Sequence, residues 1–227
     1  MTIEEYFGDW CRVIDIKEAE YKARLLASSP VSVCPMPRDM YRAFELCSLE
    51  KLRVVILGQD PYPDYIDGKP RATGIAFANS PDIPEAKISP SLEILRESVI
   101  DFTIPHGIVN FDQSLEEWER QGVLLLNTAL SCEKGIIGSH ISLWKYFIKS
   151  FLTNLSRQTT GIVYILMGSQ AQSFEPFIDK SSNHIIRIRH PSYYARTHTR
   201  MPSDIWNEVN DILLKQNGCK IEWYKEY

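Results

Sequence analysis

No stretch of this 227-residue chain is apolar for the roughly 20 residues that a helix needs to cross a bilayer. The first residues, Met1 to Glu5, carry neither the basic flank nor the apolar run of a secretion signal. The expected location is therefore cytoplasmic, or nuclear if the source is a eukaryote. Cysteine is sparse and scattered: Cys11, Cys34, Cys47, Cys132 and Cys219 are odd in number and show neither zinc-ligand spacing nor the framework of a small secreted fold. Reduced, mostly buried thiols are expected, and no metal site. Repeats, low-complexity tracts and a Gly/Ser/Pro-rich linker are also missing, so residues 1–227 are read as a single domain. A Gly-rich phosphate loop is absent, so no nucleotide or other organic cofactor is implied. Positive charge is not in excess either. The net charge of −4 argues, taken as a sum, against a phosphate-covered partner, although the local distribution of charge matters more than the total.

What is present is a large apolar fraction, 44%, arranged in alternating helix-like and strand-like segments. Tyr6, Trp10, Val13 and Ile14 fall at helical spacings within Glu4 to Leu26. Four short runs rich in Val, Ile and Leu read as buried parallel strands: Arg53 to Leu57, Val123 to Leu126, Ile162 to Leu166, and His184 to Ile188. Helix-like stretches lie between and after them, at Ser91 to Val99, Ser114 to Gln121, Trp144 to Leu155, and Ser203 to Lys215 with Ser203 as its cap. This order predicts a three-layer α/β/α fold around a central, mainly parallel four-stranded sheet. Charge is segregated. Arg187, Arg189, His190, Arg196, His198 and Arg200 share one segment without an acidic residue, whereas the acidic stretch Leu115 to Glu119 reads as a solvated helix face.

Ligands of parallel sheets bind beyond the carboxyl ends of the strands, so the residues that follow each run carry the functional reading. They are Gly58-Gln59-Asp60-Pro61-Tyr62, then Asn127, then Met167-Gly168-Ser169, then Arg189-His190-Pro191-Ser192. Each has an ordinary explanation alone. Asp60 before Pro61 suits a turn, Asn127 can end a strand, Phe77 can be core, and the arginines can be a solvated loop. His140, in Gly138-Ser139-His140, is read as a structural hydrogen-bonding residue.

Taken in order, however, Gly58-Gln59-Asp60-Pro61-Tyr62, Gly74-Ile75-Ala76-Phe77, Leu124-Leu125-Leu126-Asn127-Thr128 and His190-Pro191-Ser192 resemble family 1 uracil-DNA glycosylase. Pro90-Ser91-Leu92 and Gly168-Ser169-Gln170-Ala171-Gln172 support the likeness, which runs from about Trp10 to Trp223. The resemblance implies monofunctional, metal-free hydrolysis of the N-glycosidic bond of deoxyuridine in DNA by base flipping. Asp60 would position water and stabilise the cationic sugar, and a neutral His190 would donate to uracil O2. Asn127 would read the base edge, Phe77 would stack on it, Tyr62 would fill the space of a thymine methyl, and Gln59 would contribute backbone to the pocket. Ser91, Gly168, Ser169, Pro191 and Ser192 would grip DNA phosphates, and the arginines, Arg196 among them, would add salt-dependent affinity. The implied partners are uracil-containing DNA, single- or double-stranded, and a DNA-mimicking inhibitor protein. Nothing requires more than a monomer.

The chain departs from this pattern in two places. Pro63-Asp64-Tyr65 stands where the family continues with His-Gly-Pro, in a longer loop, and Thr73 stands where a histidine is common. Tyr193, Tyr194 and Ala195 replace the Pro-Leu-Ser that follows His-Pro-Ser, so Tyr194 is the candidate wedge into the duplex, and Arg196 the substitute for the hydroxyl that Ala195 lacks. These departures motivate a second reading, a catalytically weak DNA-binding or replication-accessory protein on a glycosylase scaffold. A third is a glycosylase with altered base preference, against which Tyr62 and Asn127 argue.

Overall fold

The computed structural model describes residues 2–100 and 106–227. Its centre is a four-stranded, wholly parallel sheet of β1 (Val54–Gly58), β2 (Val123–Asn127), β3 (Val163–Met167) and β4 (His184–Ile188), in the order β2-β1-β3-β4. The strands match the four apolar runs of the sequence to within a residue or so at each end.

Why these runs are unbroken rather than alternating is visible in the packing. Successive side chains of a strand point to opposite faces, and in β1, β2 and β3 both faces are covered, whereas the edge strand β4 leaves His184 and Arg187 exposed. Val55, Leu57, Leu124, Leu126, Tyr164 and Leu166 pack with Trp10, Phe44, Phe147 and Phe151 on one side. Val54, Ile56, Val123, Leu125, Val163 and Ile165 pack with Leu92, Leu95, Trp206 and Val209 on the other. The first helical layer includes α1 (Ile16–Ala27) and α3 (Ile141–Gln158); the second includes α2 (Pro90–Ile100), α4 (Pro191–Thr197) and α5 (Asp204–Asn217). The result is the three-layer α/β/α arrangement expected. Cys34, Cys47 and Cys132 are buried free thiols, and Cys11 and Cys219 are partly exposed.

Three local readings are corrected. The acidic stretch is not wholly solvated: Leu115 and Glu119 are fully buried, and Glu119 accepts the main-chain N–H of Leu125 at 2.9 Å. Burial pushes its carboxyl well above the usual range, because an isolated carboxylate is costly away from water. Ser203 holds the N-cap position of α5 but makes no side-chain capping bond, its backbone being already in the helical region. The third correction concerns the segment after His190, which is a helix rather than an open loop. Pro191 supplies the preset φ of a first helical residue, His190 caps the helix through its ring, and His198 ends it in a left-handed conformation.

Short ladders dress the rim of the sheet. Val33–Cys34 pairs with Cys132–Glu133, and Tyr65–Ile66 pairs with Lys69–Pro70. The second is a small hairpin formed by the residues that lengthen the loop after Tyr62.

Candidate active site

A cavity of about 380 Å³ opens at the carboxyl edge of the sheet. Of the residues singled out in the sequence, Gln59, Asp60, Tyr62, Phe77, Ser91, Asn127, Gly168, Ser169, His190, Ser192 and Arg196 line it, and Pro191 and Tyr194 do not. Segments far apart in the chain meet here because most follow the carboxyl end of a strand or start a helix, and the turn at Phe77 is carried in from the side.

Asp60 lies just beyond β1. Its two carboxylate oxygens are held separately: the Gln59 amide donates to Oδ1 at 3.0 Å, and the main-chain N–H of Gly138 donates to Oδ2. Burial raises the carboxyl above its ordinary pKa, and these two donors pull against that rise. Gln59 contributes more than backbone to the pocket, since its side chain fixes the carboxylate. Its carbonyl is taken by Thr128 Oγ1 at 2.8 Å and by the N–H of Ala129 at 2.9 Å.

Opposite Asp60 is a slot with polar and aromatic walls. Asn127, the last residue of β2, is 9% exposed, and no described residue hydrogen-bonds its side-chain amide. The residue lines the cavity, so its amide is left to pair with whatever enters there. Phe77 sits beside it with φ +66°, a conformation unfavourable for a residue with a Cβ and typical of functional sites. The strained turn is held by the N–H of Ala76 on Leu125 O at 3.1 Å and by the Tyr62 hydroxyl on Phe77 O at 2.9 Å. Ser89 in turn donates to Tyr62 at 2.6 Å, so that ring is pinned at its hydroxyl. Gly58 lies beneath the slot. A Cβ there would come within 2.5 Å of Asn127 Oδ1 and 2.9 Å of the Phe77 ring, so only glycine lets both side chains close over the strand.

His190 follows β4, with its ring centroid 5.5 Å from that of Phe77. The main-chain N–H of Ser192 donates to its Nδ1 at 3.1 Å. A backbone N–H can only donate, so Nδ1 is the unprotonated nitrogen and the neutral ring carries its proton on Nε2. Burial, aided by the Arg196 charge, lowers the pKa of this imidazole to about 4. Gly168 lets the chain at His190 approach closely. Its φ is +90°, and a Cβ would press to 2.9 Å from His190 Cβ.

Around the rim the outcome is mixed. Ser91, in the first turn of α2, and Ser169, at the start of the short helix Ser169–Gln172, both reach the cavity. The Ser192 hydroxyl lies 2.9 Å from His190 Nδ1 and so serves the histidine. Pro191 is buried as the first residue of α4. Tyr194 is not a projecting wedge. It is 8% exposed and packs in the core layer formed with α2 and α5, because helical geometry turns positions 191 and 194 to the same inward face. Of the basic run, Arg187 is chelated by Glu175 at 2.6 Å through each of two nitrogens, and Arg189 lies over the Tyr193 ring at 4.2 Å. Arg196 is exposed and at the cavity.

His140 is tied to Ser131 at 2.9 Å, and Ser131 also receives the Trp144 indole N–H at 2.8 Å; this is the structural bonding its sequence context suggested. Two contributors were not read from the sequence. Gly138 acts through main chain alone, for which no side-chain signal exists. Ser89 both supports Tyr62 and accepts the N–H of Leu92 at 3.2 Å, and its place one residue before Pro90 was the available clue. Among the described residues no three His, Cys, Asp or Glu side chains gather as a metal site.

Comparison with known proteins points one way. Residues 44–214 match the model of the uracil DNA glycosylase superfamily. A uracil-DNA glycosylase of Vibrio campbellii is 32% identical, covering 97% of this chain and 91% of its own. One from Photorhabdus laumondii is 34% identical over 86% of this chain and 83% of its own. In fold, the chain is similar to the crystal structure of mimivirus uracil-DNA glycosylase, with TM-score 0.78 and 23% identity over 97% of this chain and 86% of that one. It is also similar to a mimivirus UNG variant in complex with UGI, with TM-score 0.77 and 22% identity over 91% and 81%.

Proposed function

The chain belongs to the uracil-DNA glycosylase superfamily and is a base-excision-repair hydrolase that removes uracil from DNA; on that premise we propose that Asp60 and His190 carry the chemistry and Asn127 the choice of base. The observation that carries this reading is the meeting of a two-donor carboxylate, an amide without a protein partner and an Nε2-protonated imidazole on one cavity.

The reaction breaks the C1′–N1 bond, leaving cationic character on the sugar and an electron pair on the base. Water then adds to C1′, and its proton is lost to solvent or to the departing base. Asp60 faces the sugar, lowers the energy of the cation and orients the water. Where the family has a histidine in the first motif, this chain has Pro63, so the water is held by Asp60 and by main-chain groups. His190 donates Nε2–H to uracil O2 as charge gathers there. A neutral donor suffices, because a hydrogen bond aimed at a developing charge strengthens as the charge grows. No proton need leave the ring.

Asn127 accepts uracil N3–H and donates to O4. Cytosine presents the opposite pair at those positions, so both groups of the amide would be buried unpaired. Phe77 stacks on the ring, and Tyr62, pinned at its hydroxyl, occupies the space beside C5 that a methyl would need. Ser91, Ser169 and Arg196 lie where flanking phosphates would run. The substrate is the extruded nucleotide of single- or double-stranded DNA, and a DNA-mimicking inhibitor protein would compete for the same rim.

The test is release of free uracil from an oligonucleotide in the presence of EDTA, with Asp60→Asn and with cytosine- and thymine-containing controls. Uracil-only release that persists in EDTA and collapses in the variant is expected. DNA binding without release would favour the accessory-protein reading, with Pro63 the first residue to revert.

A further inference from the structure

With Tyr194 in the core, the surface beside the cavity offers a different apolar projection. The loop between Glu133 and Ser139 carries Ile136, 52% exposed, and Ile137, 69% exposed, and Ile137 also lines the cavity. Single exposed apolar side chains are common. Two adjacent isoleucines at the mouth of a nucleic-acid site are a different matter when the loop that bears them is firmly held.

That hold is extensive. Ile136 bridges Glu133, and its carbonyl accepts the Ser139 hydroxyl at 3.0 Å. The N–H of Lys134 donates to Ser32 O at 2.8 Å, and that of Gly135 to Pro63 O at 2.9 Å. Lys134 Nζ lies 4.4 Å from the centre of the Tyr65 ring, on the hairpin that lengthens the loop after Tyr62. The next residue after the pair, Gly138, donates its N–H to Asp60. The isoleucines are thus presented on a braced loop whose far end positions the carboxylate.

We propose that the Ile136–Ile137 tip is the wedge of this enzyme, lodging between the bases that flank the extruded uridine of duplex DNA and holding the gap open while the base occupies the cavity. The inference rests on the reading of the cavity as the uracil site. Apolar side chains, isoleucine included, are the kind that enter base steps and unstack them, and continuity with the cavity brings Ile137 next to the nucleotide that must leave the stack. A single strand has no stacked partner to replace and needs the wedge far less. The same contact would press the loop on Asp60 through Gly138, linking insertion to the alignment of the carboxylate.

The experiment compares wild type with the double variant Ile136→Ser/Ile137→Ser and with Ile137→Leu. Single-turnover uracil release is followed from matched duplex and single-stranded oligonucleotides. In parallel, fluorescence of 2-aminopurine beside the uracil reports unstacking, with each protein carrying Asp60→Asn so that no excision occurs. The serine pair should lose about tenfold or more on duplex beyond any loss on single strands, the factor that withdrawing a buried apolar side chain brings. It should also fail to brighten the aminopurine, and Ile137→Leu should restore both. Equal losses on the two substrates, or an aminopurine response unchanged from that without the serine substitutions, would overturn the wedge. Absence of uracil release by wild type from either substrate would instead overturn the assignment of the cavity, and the aminopurine signal would still decide the wedge.

Discussion

The main-chain N–H of Gly138 and the carboxylate of Asp60 are joined by a hydrogen bond across 78 residues of sequence. With the Gln59 amide on the other oxygen, it opposes the rise in pKa that burial imposes on this group. Removing a donor to an ionised carboxylate favours its protonated form. Gln59→Ala should therefore move the acid limb of the kcat/KM profile to higher pH, with a larger loss at pH 5 than at pH 8. A purely structural role for Gln59 would lower the whole profile without moving the limb.

His190 supplies a second pH signature. Its pKa falls from the ordinary 6.5 to about 4 in the folded protein, so between these values the unfolded chain binds more protons than the folded one. Stability then rises with pH through that window; equivalently, it declines as pH falls from about 6.5 to about 4. In His190→Gln that part of the slope should vanish from thermal melts taken across the window. Nitrogen NMR of the wild-type ring at pH 7 should show Nε2 protonated and Nδ1 bare. A doubly protonated ring at that pH would remove the neutral-donor mechanism.

The base slot makes a paired prediction. Asn127→Asp loses the donor to uracil O4 and gains an acceptor for the amino group of cytosine. Uracil release should fall and cytosine release should become measurable, a change in discrimination of about 1–3 kcal/mol. Tyr62→Ala opens the space beside C5 and should admit thymine. Tyr62→Phe is the control: it leaves Phe77 O without its hydroxyl donor, costing about 1 kcal/mol of stability, while thymine remains excluded. Thymine release by the phenylalanine variant would mean that the hydroxyl bond, rather than the ring, guards the slot.

Two arginines of the basic run, Arg187 and Arg196, should separate in salt titrations of DNA binding. Arg196 has no ion pair among the described residues and stands at the cavity, whereas Arg187 is occupied by Glu175, whose carboxyl it and Lys180 hold down at about 2. Arg196→Ala should weaken binding and reduce the slope of log affinity against log salt by about one. Arg187→Ala should leave that slope unchanged. Equal slopes for the two variants would remove Arg196 from the phosphate contacts.

The sheet was legible because β1, β2 and β3 are buried on both faces and so leave nearly unbroken apolar runs, which no amphipathic element imitates; β4, whose His184 and Arg187 are exposed, was legible from its isoleucines. The candidate site was legible in the residues that end or closely follow those strands, Asp60, Asn127 and His190, because topology alone brings them to one edge. Tyr194 was misread for a definite reason. The family's wedge position was carried onto Tyr193-Tyr194-Ala195, whereas Pro191 and the His190 cap start a helix there, and the helix turns Tyr194 inward. Glu119 was misread because a run of acidic residues looks solvated whichever one of them faces the core. The brace of Asp60 by Gly138 leaves no trace in side-chain pattern, since any residue type carries a main-chain N–H.

Gly58 sets a boundary on how this protein could change its preference over generations. Its missing side chain is the space in which Asn127 and Phe77 approach each other, so a substitution there strikes the residue proposed to read the base and the residue proposed to stack on it together. Selection for a new base would have to begin at Asn127, Phe77 or Tyr62 and would leave position 58 untouched. Laboratory libraries aimed at other damaged pyrimidines would do well to hold it fixed.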